Sequence, residues 1–216
     1  MREWIKSYHI FLPGRWSKWM VYVILPAVFF GIGDVFGKGV LNGYLAMILL
    51  SSLIISLEVF MDYFIFGGIA ARDTNKLEYL KTSIKGMKVL QKSLIADGIR
   101  RFLSISLIVY GLKYIFGYGF TNGQIFTLAL CYFVLSEATL IITRYFNSLV
   151  LVTASAMLVS LTAPWFTAWL LAKNRNSLLA GMILAILAVG TATCSRMMIM
   201  RKARGSYYDE RNEKGM

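Results

Sequence analysis

Long apolar runs separated by short polar segments dominate the chain. A helix needs about 20 apolar residues to cross a hydrocarbon core of about 30 Å, and six runs can be placed on that basis. Strands are excluded within these runs, because only helices satisfy their own backbone groups in lipid. The pattern therefore predicts an all-α integral membrane protein with six transmembrane helices. The predicted spans lie at about residues 19–37, 43–67, 102–117, 124–146, 149–172 and 178–200.

The residues before the first span form a shorter amphipathic pattern. Five apolar residues share one face of a helix at the N-terminus: Trp4, Ile5, Tyr8, Phe11 and Leu12. Pro13 and Gly14 then end the helix and turn the chain towards the first span. The pattern predicts an amphipathic interfacial helix within residues 1–18, lying along the membrane surface.

A second amphipathic element lies in the polar segment 68–101, between the second and third predicted spans. Its apolar residues recur at spacings of three and four, at Leu77, Leu80, Ile84, Met87, Leu90 and Leu94. Its lysines follow the same spacing on another face, at Lys81, Lys85, Lys88 and Lys92. Thr82-Ser83 and Gly86 are expected to divide it into two shorter helices. Its lysines either meet anionic lipid headgroups or dock onto a cytoplasmic partner, and the pattern alone favours lipid.

The distribution of Lys and Arg predicts the orientation. With six spans, all but four of the 23 Lys and Arg residues fall on one side of the membrane, together with both termini. The four exceptions are Lys38, Lys113, Lys173 and Arg175. Because cytoplasmic loops carry an excess of basic residues, both termini are expected to be cytoplasmic. The basic and polar residues 201–216 then form a cytoplasmic tail.

Composition narrows the class of protein. With 57% hydrophobic and 16% charged residues and a mean hydropathy of +0.62, the chain is too apolar for an ordinary soluble domain. The net charge of +12 does not indicate nucleic-acid binding, because the basic residues gather at the ends of the apolar runs. No nucleic-acid partner is expected. The two cysteines lie within apolar segments, so neither a disulfide framework nor a metal site is predicted.

Charged residues inside the predicted spans are the main candidates for a site. Glu58 and Asp62 are one turn apart in the second span, and Glu137 and Arg144 lie in the fourth. Charges at such depth cost at least about 2.5–3.5 kcal/mol, so they should face protein or water. One interpretation is an interhelical Asp62–Arg144 ion pair, with Glu58 or Glu137 protonated. The other is a polar substrate path or a proton site, and the sequence leaves both open.

The order of these features resembles the permease subunit of an ABC transporter of the ABC-2, or type V exporter, class. The residues that carry the resemblance are "REWIKSYHIFL", "EVFMDYFIFGGI" and "DTNKLEYLKTSIKGMKVLQK". It implies that the N-terminal helix is an elbow helix and that the cytoplasmic element couples to a separate ATP-binding subunit. A second permease, identical or different, would face this one. The implied coupling residues are Glu78, Lys81, Lys85 and Lys88.

The chain lacks the motifs of an enzyme. No G-x-x-x-x-G-K-[ST] occurs, so any ATP hydrolysis is expected in a partner subunit, and no cofactor is expected in this chain. The expected function is export of small peptides or other amphipathic cargo across a bacterial cell membrane, with lipid as the surrounding partner. The alternative is a stand-alone membrane protein, either a proton-coupled secondary carrier using Glu58, Asp62 and Glu137 or an accessory scaffold.

Overall fold

The described residues of the computed structural model are helical almost throughout. They comprise residues 2–12, 53–63, 65–66, 83–116, 121–146 and 177–214, with scattered helical positions between 18 and 31 and between 150 and 159. Within these residues only Leu12, Ser83 and Thr121 lie outside a helix. The all-α prediction is thus confirmed for the described part of the chain.

Four helices have defined bounds: α1 (Arg2–Phe11), α2 (Ile84–Phe116), α3 (Asn122–Phe146) and α4 (Ser177–Lys214). Residues 53–63, also helical, are referred to as the 53–63 segment. Within the described residues, two stretches are long and apolar enough to cross a membrane, Asn122–Tyr145 in α3 and Ala180–Arg204 in α4. Most residues of the predicted spans 19–37 and 149–172, and about half of those of the span 43–67, lie outside the described part.

α2 differs from the prediction. The sequence analysis placed a loop at 68–101 and began the third span at residue 102, which implies a break in the helix there. Instead, one helix of 33 residues runs from Ile84 to Phe116. Ser83 caps its start, since its hydroxyl accepts a hydrogen bond from Gly86 N at 2.8 Å. Ser83 therefore begins the helix, whereas Gly86 lies inside it and does not divide it.

The bounds of α3 and α4 depend on caps and backbone hydrogen bonds as well as on the length of the apolar run. Thr121 and Gln124 cap α3 reciprocally: Thr121 N donates to the Gln124 side chain at 3.0 Å, and Gln124 N donates to the Thr121 hydroxyl at 3.3 Å. α4 continues to Lys214, well beyond the predicted end of the sixth span near 200. Much of the predicted polar tail, residues 201–216, therefore belongs to the same helix.

Side-chain contacts give the relative directions of the helices. Lys113 of α2 donates to Asn122 at the start of α3, while Arg101 of α2 contacts Glu137 deep in α3, so α2 and α3 are antiparallel. In contrast, Ser195 of α4 contacts Glu137 of α3. Further along both helices, Lys202 of α4 lies over the ring of Tyr145 of α3. α3 and α4 are therefore parallel.

The buried apolar residues form two main layers. The larger joins the 53–63 segment, α2, α3 and α4 through residues such as Ile55, Ile105, Ala129 and Ala188. The second joins α1 to the other end of the bundle, through Tyr8, Phe11, Leu12, Phe66, Leu90, Leu94, Ile199 and Ala203. On α2 and α4, the buried side chains between these two layers are polar or charged, namely Asp97, Arg101 and Ser195. They belong to the candidate site.

Candidate functional site: a buried charge cluster

Seven charged side chains meet between the two apolar layers, and they are called the buried charge cluster. Its members are Glu58, Asp62, Asp97, Arg100, Arg101, Glu137 and Arg144. None of these side chains is more than 10% exposed. Because an isolated buried charge is costly, the charged groups of such a cluster must form ion pairs and hydrogen bonds with one another.

Arg101 of α2 is the central residue of the cluster. Its Nη1 donates to Glu137 Oε1 at 2.6 Å, and its Nη2 donates both to Asp62 Oδ1 at 3.2 Å and to Asp97 Oδ2. The Nε atom lies 3.6 Å from Glu58 Oε2, beyond hydrogen-bonding distance, and finds no acceptor among the described residues. One guanidinium thus joins α2 to both the 53–63 segment and α3.

Arg100 adds a second connection between α2 and the 53–63 segment. Its two terminal nitrogens donate to the two carboxylate oxygens of Glu58, at 3.0 and 2.5 Å. Its Nε donates to Asp97 Oδ1 at 3.2 Å, within α2. This two-pronged geometry matches the planar fork of a guanidinium to the two oxygens of a carboxylate, which lysine cannot do.

Arg144 binds Asp62, which brings together the two residues that the sequence suggested as an interhelical pair. Nε donates to Oδ2 at 3.0 Å and Nη2 to Oδ1 at 2.5 Å. The guanidinium also lies over the ring of Phe66, 5.9 Å from its centroid. This second two-pronged pair ties α3 to the 53–63 segment.

Glu137 connects the cluster to α4. Its Oε1 accepts from Arg101, and its Oε2 accepts a hydrogen bond from the hydroxyl of Ser195, a buried residue of α4. Both Glu58 and Glu137 therefore have an arginine partner. The sequence interpretation paired Asp62 with Arg144 and named no partner for these two glutamates, whereas Arg100 and Arg101 bind them.

α1 lies against the α2 side of the cluster. At the outer edge, Lys92 of α2 donates to Glu3 of α1 at 2.6 Å, and the hydrogen bond and charge of Lys92 lower the pKa of Glu3. Further in, burial and the neighbouring Asp97 raise the pKa of the Tyr8 hydroxyl, which stays neutral. Lys92, predicted to face headgroups or a partner, contacts α1 instead.

The arrangement is better suited to holding helices together than to carrying a proton. Four carboxylates face three guanidinium groups, and an arginine does not release its proton in proteins. The charged bonds join α2, α3 and the 53–63 segment, and Ser195 adds α4. Within the described residues, no group of three or more potential ligands could hold a metal ion.

The predicted site residues fall into two groups. Glu58, Asp62, Glu137 and Arg144 are all brought together in the cluster. Of the predicted coupling residues, Lys85 and Lys88 are exposed near the start of α2, while Glu78 and Lys81 lie outside the described residues.

Sequence reasoning missed Asp97, Arg100, Arg101 and Ser195 as site residues. A signal for two of them was present, because the apolar stripe of the cytoplasmic element continues into them. From Leu94 the spacing of three and four leads to Asp97, Arg101 and Ile105, all buried. Charged residues that take the place of apolar residues on a buried face indicate a site rather than a loop. Ser195 carries no comparable signal.

Comparison with protein-family models, curated proteins and solved structures gives no significant match.

Proposed function

We propose that the chain is a multi-pass membrane protein and serves as the permease subunit of an ATP-driven transporter. The observation that carries this proposal is the continuity of α2. Lys85 and Lys88, which the resemblance implies as coupling residues, are exposed near its start. Asp97, Arg100 and Arg101, three of the seven members of the buried charge cluster, lie further along the same helix.

A continuous helix transmits a displacement along its axis. Lys85 and Arg101 are 16 positions apart, which corresponds to about 24 Å at 1.5 Å per residue. A partner that pushes or rotates the exposed start of α2 would therefore move the buried arginines as part of the same body. Because those arginines hold the 53–63 segment and α3, such a movement would separate or realign the helices.

The helix directions support a multi-pass arrangement. α3 and α4 are parallel neighbours, so a chain that crosses a membrane in both must return across it between residues 147 and 176. The predicted fifth span, 149–172, lies in that interval and supplies the return. From lower to higher residue numbers, residues 54–66 and α4 pass from the larger apolar layer to the second, whereas α2 passes from the second to the larger. Since α3 is antiparallel to α2, it runs in the same direction as α4. This is the pattern of directions expected for six spans with both termini in the cytoplasm.

In this proposal, ATP hydrolysis and transport are carried out by different chains. ATP hydrolysis belongs to a separate cytoplasmic subunit, and this chain is not an enzyme and uses no cofactor. A second permease and lipid cover its outer surface, where α4 exposes large apolar side chains, among them Met182, Ile183, Ile186 and Val189. The cargo is a small peptide or another amphipathic molecule, moved outwards across a bacterial cell membrane.

A stand-alone protein is the alternative. A proton-coupled carrier built on Glu58, Asp62 and Glu137 is disfavoured, because each carboxylate is engaged by arginine and not open to water. An accessory scaffold is more consistent with the cluster, whose bonds hold four elements together. The two functions differ in one respect that can be measured, the presence of an ATPase partner.

The test is co-purification from native membranes in a mild detergent. A tagged chain should bring down a protein that carries a G-x-x-x-x-G-K-[ST] motif, identified by mass spectrometry and by ATP hydrolysis of the complex. Lys85→Glu with Lys88→Glu should lose this partner while the chain remains folded, and Lys113→Glu at the other end of α2 serves as a control. If the unmodified chain binds no ATPase, the permease proposal is wrong and the scaffold takes its place.

A further inference from the structure

A basic groove with an apolar floor lies between α2 and α4. Its volume is about 480 Å³. α4 contributes three arginines to its lining, and Ile95 of α2 and two methionines of α4 form the apolar part. The arginines are Arg196, Arg201 and Arg204, and the methionines are Met197 and Met200. This combination of cationic and apolar side chains is typical of a site for an amphipathic anion.

Arg196 differs from the arginines of the buried charge cluster. It is half-buried and lies against α2, with Nη2 3.4 Å from the position that a Cβ atom on Gly98 would occupy. Arg100, Arg101 and Arg144 each bind a carboxylate. Arg196 makes no hydrogen bond or ion pair with any described residue. A partly buried guanidinium that lacks an acceptor favours binding of an anion.

The position of the groove along α4 indicates where that anion comes from. The apolar stretch of α4 that is long enough to cross a membrane ends at Arg204, so the three arginines occupy its last turns. In the proposed topology this is the level of the cytoplasmic headgroups, where basic pockets between helices bind anionic lipids. A free phosphate ion has no apolar part that could contact the floor formed by Ile95, Met197 and Met200.

We propose that this groove binds an anionic phospholipid of the cytoplasmic leaflet. Arg196, Arg201 and Arg204 hold the lipid phosphate, and an acyl chain covers Ile95 and Met197. A lipid bound there contacts both α2 and α4. The inference rests on the proposed embedding in a membrane, but it does not depend on an ATPase partner.

The experiment is native mass spectrometry of the chain purified in a neutral detergent and titrated with dioleoyl phosphatidylglycerol or dioleoyl phosphatidylcholine. The unmodified chain should retain phosphatidylglycerol preferentially. Arg196→Gln should weaken this binding about tenfold, the value for one lost hydrogen bond between charged groups. Arg201→Gln with Arg204→Gln, both at exposed positions, should weaken it by at least about fivefold.

Lys202→Gln is the matched control. It removes the same charge from the neighbouring position of α4, but the Lys202 ammonium lies over Tyr145 of α3, 5.6 Å from the ring centroid. Binding should be unchanged in this variant. An equal loss with Lys202→Gln would mean that only overall charge matters, and it would overturn the site.

Two further outcomes would overturn the proposal in different ways. Equal retention of phosphatidylcholine, or displacement of phosphatidylglycerol by an excess of inorganic phosphate, would show that the groove does not select an anionic lipid. Failure of the chain to float with lipid vesicles after reconstitution would contradict the membrane embedding itself. The flotation assay therefore separates the two failures.

Discussion

Replacement of Arg101 by methionine tests whether the buried charge cluster holds the helices together. Arg101→Met keeps an unbranched side chain of similar length but removes the hydrogen bonds to Glu137, Asp62 and Asp97. Loss of one partner from a buried ion pair costs about 3–5 kcal/mol, because the remaining charges stay buried without compensation. At 2–4 °C per kcal/mol for a chain of this size, the unfolding temperature should fall by roughly 6–20 °C.

The assay is thermal unfolding in detergent, followed by size-exclusion chromatography of the heated samples. Lys113→Met is the control on the same helix. Among the described residues Lys113 donates only to Asn122, near the surface, and this bond should contribute less than about 1 kcal/mol. Arg101→Met combined with Glu137→Gln should recover part of the loss, since it removes one of the stranded charges. Equal shifts for Arg101→Met and Lys113→Met would refute the reasoning.

Two further predictions concern the α3 pair and the topology. Arg144→Ala should lower the yield of folded protein because it leaves Asp62 buried without its two-pronged partner, and Arg144→Ala with Asp62→Ala should restore part of it, as measured by fluorescence of a fused reporter after chromatography; no recovery would show that the pair is not coupled. Reporter fusions at Lys88 and within residues 201–216 should report the cytoplasm and a fusion at Asn122 the outside, and an external Lys88 would contradict the six-span arrangement.

In the described part of the chain, the sequence predicted the apolar stretches of α3 and α4 well, but not the start of α2 or the end of α4. The reason is physical. The predicted fourth span, 124–146, agrees closely with α3, because there the helix ends where the apolar run ends. α4 continues beyond its apolar run to Lys214. Hydropathy reports which residues prefer lipid, whereas helix formation depends on backbone hydrogen bonds and caps, and residues such as Lys, Arg and Met favour helices in water as well.

The same distinction explains the error in α2. The charged residues before residue 102 were interpreted as a cytoplasmic loop that ends where the third span begins. Gly86 was interpreted as a break in the amphipathic element of that loop. One glycine costs only about 1 kcal/mol in a helix interior, less than the packing of Leu90 and Leu94 against α1 can supply. Tertiary contact thus outweighed a local preference.

The candidate site was predictable in part. Glu58, Asp62, Glu137 and Arg144 stood out because each interrupts an apolar run, and their depth was enough to suggest the contact between Asp62 and Arg144. Arg101 did not stand out, because it was assigned to the polar segment 68–101 that precedes the third predicted span. Its partners come from residues about 40 positions away in either direction, and only the packing of α2 between the 53–63 segment and α3 reveals them.

The position of Asp97 bears on how such a cluster can move. Arg101 has cross-helix partners in Asp62 and Glu137, which a displacement of α2 would pull away. Asp97 is on α2 itself, four residues before Arg101, and travels with it. A moving guanidinium therefore keeps one carboxylate throughout, so it is never left as an uncompensated buried charge, the state that costs most. A cluster in which every partner lay on a neighbouring helix would resist movement more strongly. In the proposed mechanism, Asp97 would therefore allow the cluster to stabilise the bundle and also to change its alignment.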